Sequence, residues 1–368
     1  MIKILFFIHD LGQGGAEKVL VNLVNNMDYS KFDITVISLF GGGVNEKYLN
    51  NRVHYQSVFK RTIRGNSMIM KLFTPEQLHK HFIKGVYDIE VSYLEGSTAR
   101  IVSGCCTPCT KLINWVHCEQ RSRESAADSF RSVKEAELCY ARFNHHVFVA
   151  ETVKKNFLNI FPQDNPCNVI YNTVESDMIL ELSKESASQI IDDNCLKLVS
   201  AGSLKEVKGF DRLLRIVKKL KENGYHIHLY ILGKGPLKEG LKHFVTENHL
   251  SDNVTFLGYQ INPYKYVSKC DLFVCSSHRE GFSTAVTEAL IVGTPVCTTE
   301  VSGMREMLGD NEYGLITKNN EESLYNGIKS LLDNTDLLSY YKKQALIRGN
   351  TFSKEKTVKS AEELFFTV

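Results

Sequence analysis

The sequence predicts an α/β protein built from two doubly wound domains that face each other across a cleft. Three observations predict it. Short apolar runs alternate with longer amphipathic segments, as the strands and helices of repeated βα units do. The alternation breaks off at a polar, acidic stretch and then begins again. Several runs are apolar almost throughout, which suits strands of a parallel sheet covered on both faces.

In chain order, residues 2–8 form the first expected strand. It leads straight into His9-Asp10 and a glycine loop, with no small-residue cleavage site, so it reads as a buried strand and not as a signal peptide. Residues 16–26 have helical periodicity, with Val19, Leu20, Leu23 and Val24 on one face. Further strands are expected at 32–39, 89–93, 112–116 and 147–150, and the last strand-like run of this half ends at Tyr171-Asn172-Thr173. The second series has strands at 196–201, 226–232, 254–257, 271–276 and 295–298, with helices at 210–220, 237–245 and 284–291. Helical segments close the chain from Glu321 onward, the final one near 353–366 with Ser353 as its cap. The expected boundaries are 1–176 and 195–350 for the two domains, 177–194 for the linker, and 351–368 for a terminal helix that packs back on the first domain.

Bulk properties narrow the function classes. A chain of 368 residues fits two ordinary domains. A formal charge of +2 gives no global electrostatic case for nucleic acid. No segment reaches the roughly 18 apolar residues of a membrane span, so a cytoplasmic protein is expected. Its ten cysteines are then expected as reduced thiols. Cys106 and Cys109 form a CxxC beside Cys105 and Cys118, but a second well-spaced pair is missing. Small buried side chains near a strand start explain them more simply than a zinc or redox site.

Leu11-Gly12-Gln13-Gly14-Gly15-Ala16-Glu17 lies between a strand and a helix. Glycines let the backbone approach a ligand, and a helix N-terminus offers free N–H groups to an anion. A dinucleotide site is the rival reading. Glu17 stands where its third glycine belongs, and the second strand ends in Ser38-Leu39-Phe40-Gly41 without a ribose-binding acid. A tight turn alone also accounts for the loop.

The richest segment is Glu280-Gly281-Phe282-Ser283-Thr284-Ala285-Val286-Thr287-Glu288, which follows a strand and opens a helix. The two carboxylates can accept hydrogen bonds from sugar hydroxyls, and the amides near Ser283 and Thr284 favour phosphate oxygens. Taken alone, Glu288 is more simply a solvated glutamate. Lys205 and Lys208 lie in a similar strand-to-helix loop after Gly202-Ser203, where a lysine can neutralise a diphosphate. Lys205 alone reads as an ordinary surface lysine. Gly233-Lys234-Gly235-Pro236 and Leu257-Gly258-Tyr259-Gln260 are two further loops of this kind.

In order and spacing these motifs resemble family 4 of the glycosyltransferases, with the GT-B fold of two Rossmann-like domains. The resemblance spans nearly the whole chain. It rests on Gly14-Gly15-Ala16-Glu17, Lys208-Gly209, Gly233-x-Gly235-Pro236, Glu280-x7-Glu288, Gly293-x-Pro295 and Gly314-Leu315. It implies an N-terminal acceptor-binding domain and a C-terminal nucleotide-sugar-binding domain. Glu288 would hold the donor ribose and Glu280 the transferred sugar. The backbone of Gly281, Phe282, Ser283 and Thr284 would bind sugar and phosphate. Lys208 would neutralise the diphosphate, with Ser203, Lys205, Gly233 and Tyr259 also at the donor and the Gly14-Gly15 loop closing from the other domain. His117 matches a histidine near the anomeric carbon, though a lone histidine at a strand end reads equally as structural. Two departures stand out. Ser203 occupies the place of the family's usual arginine, with Lys205 its nearest substitute, and Gly303-Met304 replaces a Gly-Gly pair.

The implied reaction moves a hexosyl or N-acetylhexosaminyl group from a nucleotide-diphosphate donor, by family frequency a UDP-sugar, with net retention. Glu280 is then a sugar ligand and not a glycosidase-type nucleophile. No DxD motif stands at a strand end, so neither metal nor cofactor is expected. The competing readings are a sugar-nucleotide epimerase, a non-catalytic binding subunit and, last, an oxidoreductase. The acceptor is expected to be a saccharide or lipid-linked saccharide of surface polysaccharide synthesis. Between residues 52 and 84 there are seven Lys/Arg and one acid, interleaved with Met68, Ile69, Met70, Leu72 and Phe73. This segment reads either as a face for anionic lipid at the inner side of the plasma membrane or as a solvated helix with a core stripe.

Overall fold

Seven parallel strands form the first sheet: β1 (Ile2–Ile8), β2 (Phe32–Phe40), β3 (His54–Phe59), β4 (Ile89–Ser92), β5 (Lys111–Val116), β6 (His145–Phe148) and β7 (Cys167–Val169). They run in the order β3-β2-β1-β4-β5-β6-β7. The computed structural model describes residues 1–62, 65–190 and 195–368. The chain leaves β1 toward β3 and returns to β4 on the other side, so the order reverses beside β1. Ligands of doubly wound sheets sit at such reversals, beyond the carboxyl ends of the strands. Leu5 to Ile8 are fully buried, as the near-continuous apolar run of β1 requires.

A second parallel sheet contains β8 (Leu196–Ala201), β9 (Ile227–Leu232), β10 (Val254–Gly258), β11 (Leu272–Cys275), β12 (Val296–Thr299) and β13 (Leu315–Thr317). Its order is β10-β9-β8-β11-β12-β13, with the reversal between β8 and β11. Helix Phe210–Glu222 buries Phe210, Leu213, Leu214, Val217 and Leu220, which join Leu198 of β8 and Leu229 and Ile231 of β9 in one core.

The first sheet belongs to a unit of Met1–Thr173 with Lys354–Val368, the second to Val174–Ser353. Of the expected linker, residues 191–194 lie outside the described ones. Helix Ser176–Ser183 precedes them and packs Ile179 with Tyr264 and Ile291 in the second unit. The final helix, Lys354–Thr367, lies on the first unit. There Phe365 meets Phe6 at 5.8 Å and Phe32 at 6.1 Å, and Glu362 accepts the Asp28 amide at 2.6 Å.

Strand β3 was not expected from the sequence. Its residues are exposed or half-buried along the sheet edge, so it lacks the apolar run that marks its neighbours. No described helix is long and apolar enough to cross a membrane.

Candidate functional site

In the second unit, the loops after β8 and β11 meet at the sheet reversal. Gly209 ends a short 3-10 turn, Glu206–Lys208, with φ +61°. A Cβ there would lie 2.1 Å from the Ser276 carbonyl oxygen, so only glycine permits this approach. The junction is fastened by the Ser276 hydroxyl, which donates to the Lys208 carbonyl at 3.0 Å, and by the His278 amide, which donates to Val207 at 2.8 Å.

Arg212 underlies this junction. Its buried guanidinium donates to the carbonyls of Ser276 and Ser277, both at 2.6 Å, and to Asn319 at 2.9 Å. Burial lowers its pKa. The two fixed carbonyls set the backbone from which the Ser277 hydroxyl donates to Glu280 Oε1 at 2.5 Å. Lys208 Nζ donates to the same carboxylate, 2.7 Å from Oε1 and 2.8 Å from Oε2. The Glu280 side chain is 9% exposed and that of Lys208 26%, so the cation covers the carboxylate on its open side.

The other loops converge at the same sheet end. Gly233, at φ +145°, approaches so closely that a Cβ would lie 1.8 Å from the Gly202 carbonyl oxygen. The Gly233 amide donates to Gly258 at 2.8 Å, and Lys234 lies over the Tyr259 ring at 5.5 Å. Ser203 is half-buried and Lys205 exposed on the loop after β8. Helix Thr284–Ile291 begins after Ser283 without a side-chain cap. Phe282 and Ser283 are buried, while Thr284 and Glu288, one helical turn apart, are half-buried. The Tyr264 hydroxyl donates to Glu288 Oε1 at 3.5 Å. Gly303 keeps a positive φ of +79°, and a Cβ there would lie 2.5 Å from the Gly281 carbonyl oxygen. The first glycine of the expected pair thus retains its packing role although Met304 follows.

The first unit presents two further groups. Gly14 precedes helix Gly15–Asn26, and the Glu17 carboxylate folds back against it. The loop is held by Asp10, which accepts the Gly12 amide at 2.7 Å, and by Asn45, whose amide donates to Leu11 at 2.9 Å. His117 follows β5, and its backbone amide donates to Glu95 at 2.9 Å. Its ring is 6% exposed and packs 4.6 Å from the Tyr93 ring. Nε2 is buried and has no hydrogen-bond partner. Burial pushes the imidazole pKa down to about 3, so the ring is neutral near pH 7.

The sequence reading missed Arg212, Ser277, Asn45 and Glu95. Ser277 had a signal, a small hydroxyl three residues before Glu280. A lone arginine on an amphipathic helix gives none. Cys106 and Cys109 are free and exposed, whereas Cys105 is buried, so the expected burial holds for only part of that cluster. Cys105 lies with His79 and Glu90 in a group whose ligating atoms are within 4.8 Å of one another. Hydrogen bonds within that group link all three, including His79 Nε2 to Glu90 Oε2 at 2.7 Å and the Cys105 thiol to Glu90 Oε1 at 3.7 Å.

Known proteins resemble this chain in sequence and in fold. Residues 183–348 match the family described as Glycosyl transferases group 1. Over 98% of its length the chain is 27% identical to 98% of the N-acetylgalactosamine-N,N'-diacetylbacillosaminyl-diphospho-undecaprenol 4-alpha-N-acetylgalactosaminyltransferase of Campylobacter jejuni. The crystal structure of Anabaena HepE in complex with UDP and glucose superposes with a TM-score of 0.80, covering 100% of both chains at 18% identity. That of Staphylococcus aureus TarM gives 0.74 at 14% identity, covering 99% of each. These two structures share the fold.

Proposed function

We propose that this chain, which has the GT-B fold and whose residues 183–348 match the group 1 glycosyl transferases, moves a hexosyl or N-acetylhexosaminyl group from a UDP-sugar, with retention. The acceptor is a saccharide or lipid-linked saccharide, and the process is the synthesis of a surface polysaccharide or glycoconjugate on the cytoplasmic side of the membrane. The observation that carries the reading is the bidentate contact of Lys208 with Glu280 at the sheet reversal. The pair sets a cation beside a carboxylate at the strand-order reversal, where doubly wound sheets take their ligands, and this supports a sugar-diphosphate donor there.

In this reading Lys208 stabilises the charge that grows on the β-phosphate as UDP departs, together with the amides that open helix Thr284–Ile291. Glu280 accepts hydrogen bonds from the transferred sugar, and Glu288 from the ribose. Lys205, exposed on the same loop as Ser203, supplies the positive charge that the family resemblance assigns to an arginine there. In the first unit, His117 Nε2 is buried and unpartnered, a polar group that a ligand hydroxyl would satisfy. No step calls for a metal ion. The C. jejuni relative's name contains a diphospho-undecaprenol, which favours a lipid-linked acceptor and peripheral membrane contact through the basic segment of the first unit.

The test is UDP or GDP release from a panel of nucleotide sugars by wild type, Lys208→Ala and Glu288→Ala. Release from one donor, lowered about a hundredfold or more in both variants, is expected. Calorimetry showing no donor binding at all would overturn the reading in favour of a non-catalytic subunit, while donor consumption without nucleotide release would mark an epimerase.

A further inference from the structure

We propose that the first unit carries a distinct hydrocarbon site, a cavity of about 410 Å³ that takes the chain of a lipid diphosphate acceptor. The inference rests on the transferase reading above and adds to it the part of the acceptor that is recognised. The cavity lies beyond the carboxyl ends of β2 and β3, where Phe40 and Phe59, the last residues of those strands, line it.

Its deep wall is apolar. Phe40, Met70, Leu78 and Phe82 are buried there. Phe59 stacks on Phe40 at 5.7 Å and meets Phe82 edge-on at 5.6 Å. The Gln77 side chain, one of the few polar groups in the lining, accepts the Thr74 amide at 2.9 Å and so serves its own helix cap. The other polar lining residues are Asn66, half-buried, and His81, exposed to solvent, so the buried part of the wall that a hydrocarbon meets is apolar. The volume falls in the range of roughly 300–1,000 Å³ typical of ligand pockets.

The mouth is apolar as well as exposed. Ile69 and Phe73 line the cavity and are themselves open to solvent, and Met68 and Leu72 beside them are each 76% exposed. Clustered exposed apolar side chains mark an interaction site.

Charge selects the occupant. From residue 52 to 84, Arg52, Lys60, Arg61, Lys71, Lys80 and Lys84 stand against one acid among the described residues. That acid, Glu76, is paired with Arg142 at 3.1 Å. Lys60 and Arg61 directly follow Phe59, Lys71 lies between Met70 and Leu72, and Lys80 precedes His81. The basic residues therefore adjoin the lining along the chain. Inorganic phosphate would use only this rim, and a neutral saccharide neither rim nor cavity. An amphiphile with an apolar chain and an anionic diphosphate uses both. Phe40 also packs against His9 at 5.1 Å, at the end of β1 where the loop to Gly15 begins, so the cavity and the glycine loop share one end of the sheet.

The experiment is calorimetric titration of the full chain with n-alkyl diphosphates of increasing length, without vesicles and below their micelle concentrations, with inorganic pyrophosphate as the headgroup alone. Affinity should rise about fourfold per added methylene and level off once the cavity is full. Ile69→Asn, a neutral polar change at the exposed mouth, should flatten the dependence on length while leaving pyrophosphate binding unchanged. Met70→Trp should fill the floor and bring the plateau to shorter chains, with circular dichroism confirming that both variants fold. Affinity independent of chain length, an unchanged ladder in both variants, or binding only when anionic vesicles are present would overturn the proposal, the last in favour of a bilayer surface. A ladder without any nucleotide-sugar binding would sink the transferase reading and leave the cavity standing. Donor cleavage without a ladder would do the reverse.

Discussion

The ammonium of Lys208 bridges both carboxylate oxygens of Glu280, a residue 72 positions further along the chain, at 2.7 and 2.8 Å. The contact joins the loop after β8 to the loop after β11. With Lys208 26% exposed, the pair contributes little to stability, on the order of 1 kcal/mol or less. Its value lies in holding the ammonium at a set point before a phosphate arrives.

Lys208→Ala should therefore lower the transfer rate about a hundredfold to a thousandfold, the usual cost of losing one stabilising group for developing charge. Its melting temperature should stay within a few degrees of wild type. Steady-state rates and scanning calorimetry on one preparation check both halves; a melting temperature that falls sharply would recast Lys208 as a structural residue.

Gly209→Ala should be costly for two reasons. Its φ of +61° is expensive for alanine, at about 1–3 kcal/mol, and the new Cβ would lie 2.1 Å from the Ser276 carbonyl oxygen. The control is Gly224→Ala, where φ is +84° but nothing lies within 4 Å. Denaturant melts should show the larger loss at Gly209, accompanied by weaker donor binding. Equal losses would mean that the approach of the two loops is not tight.

Arg212→Met should destabilise the second unit by about 1–3 kcal/mol, because the buried Ser276 carbonyl loses the guanidinium while that of Ser277 keeps only the Thr299 hydroxyl. Arg212→Lys should rescue only part of this, since an ammonium cannot reproduce the guanidinium fork. Donor affinity should weaken in both variants as the Ser277 contact to Glu280 slackens.

Two histidines should tilt the pH dependence of stability in opposite directions. Burial acts to lower the His79 pKa, but hydrogen bonds to Cys105 and Glu90 and the Glu90 charge outweigh it and hold it near 9. Its folded value exceeds the unfolded 6.5, so its contribution is complete below about pH 6.5 and is lost as the pH rises through 9. For His117 the folded value is about 3, because burial disfavours the cation. Stability is then lost as the pH falls from 6.5 toward 3. Urea melts from pH 4 to 9.5 should flatten on the alkaline side in His79→Gln and on the acid side in His117→Gln. An unchanged profile in either variant would refute the corresponding assignment.

Much of this was legible in the sequence, and the limits have physical causes. Strands β1, β9, β11 and β12 announce themselves because their burial on both faces goes with short, largely apolar runs. β3 does not, since an edge strand is only partly covered, and β13 is only three residues long. Lys208, Glu280 and Glu288 stand out because glycines and strand ends frame them. The bond between Lys208 and Glu280 could not be read, because it depends on β8 lying beside β11, and βα alternation does not specify strand order. Arg212 was invisible for a related reason. A charge on an amphipathic helix reads as solvent-facing until the acceptors of distant loops are placed around it.

The final helix ties the beginning of the chain to its last stretch. Phe365 completes the packing around Phe6 and Phe32, yet residues 174–353 are translated between them. At about 5–20 residues per second, the ribosome spends roughly 10 to 35 seconds on that interval. Throughout it the nascent first sheet waits with part of its apolar surface uncovered, while the second unit can fold as soon as it emerges. The part of the protein that is made first is thus the part that matures last, and a holding chaperone would find its target there.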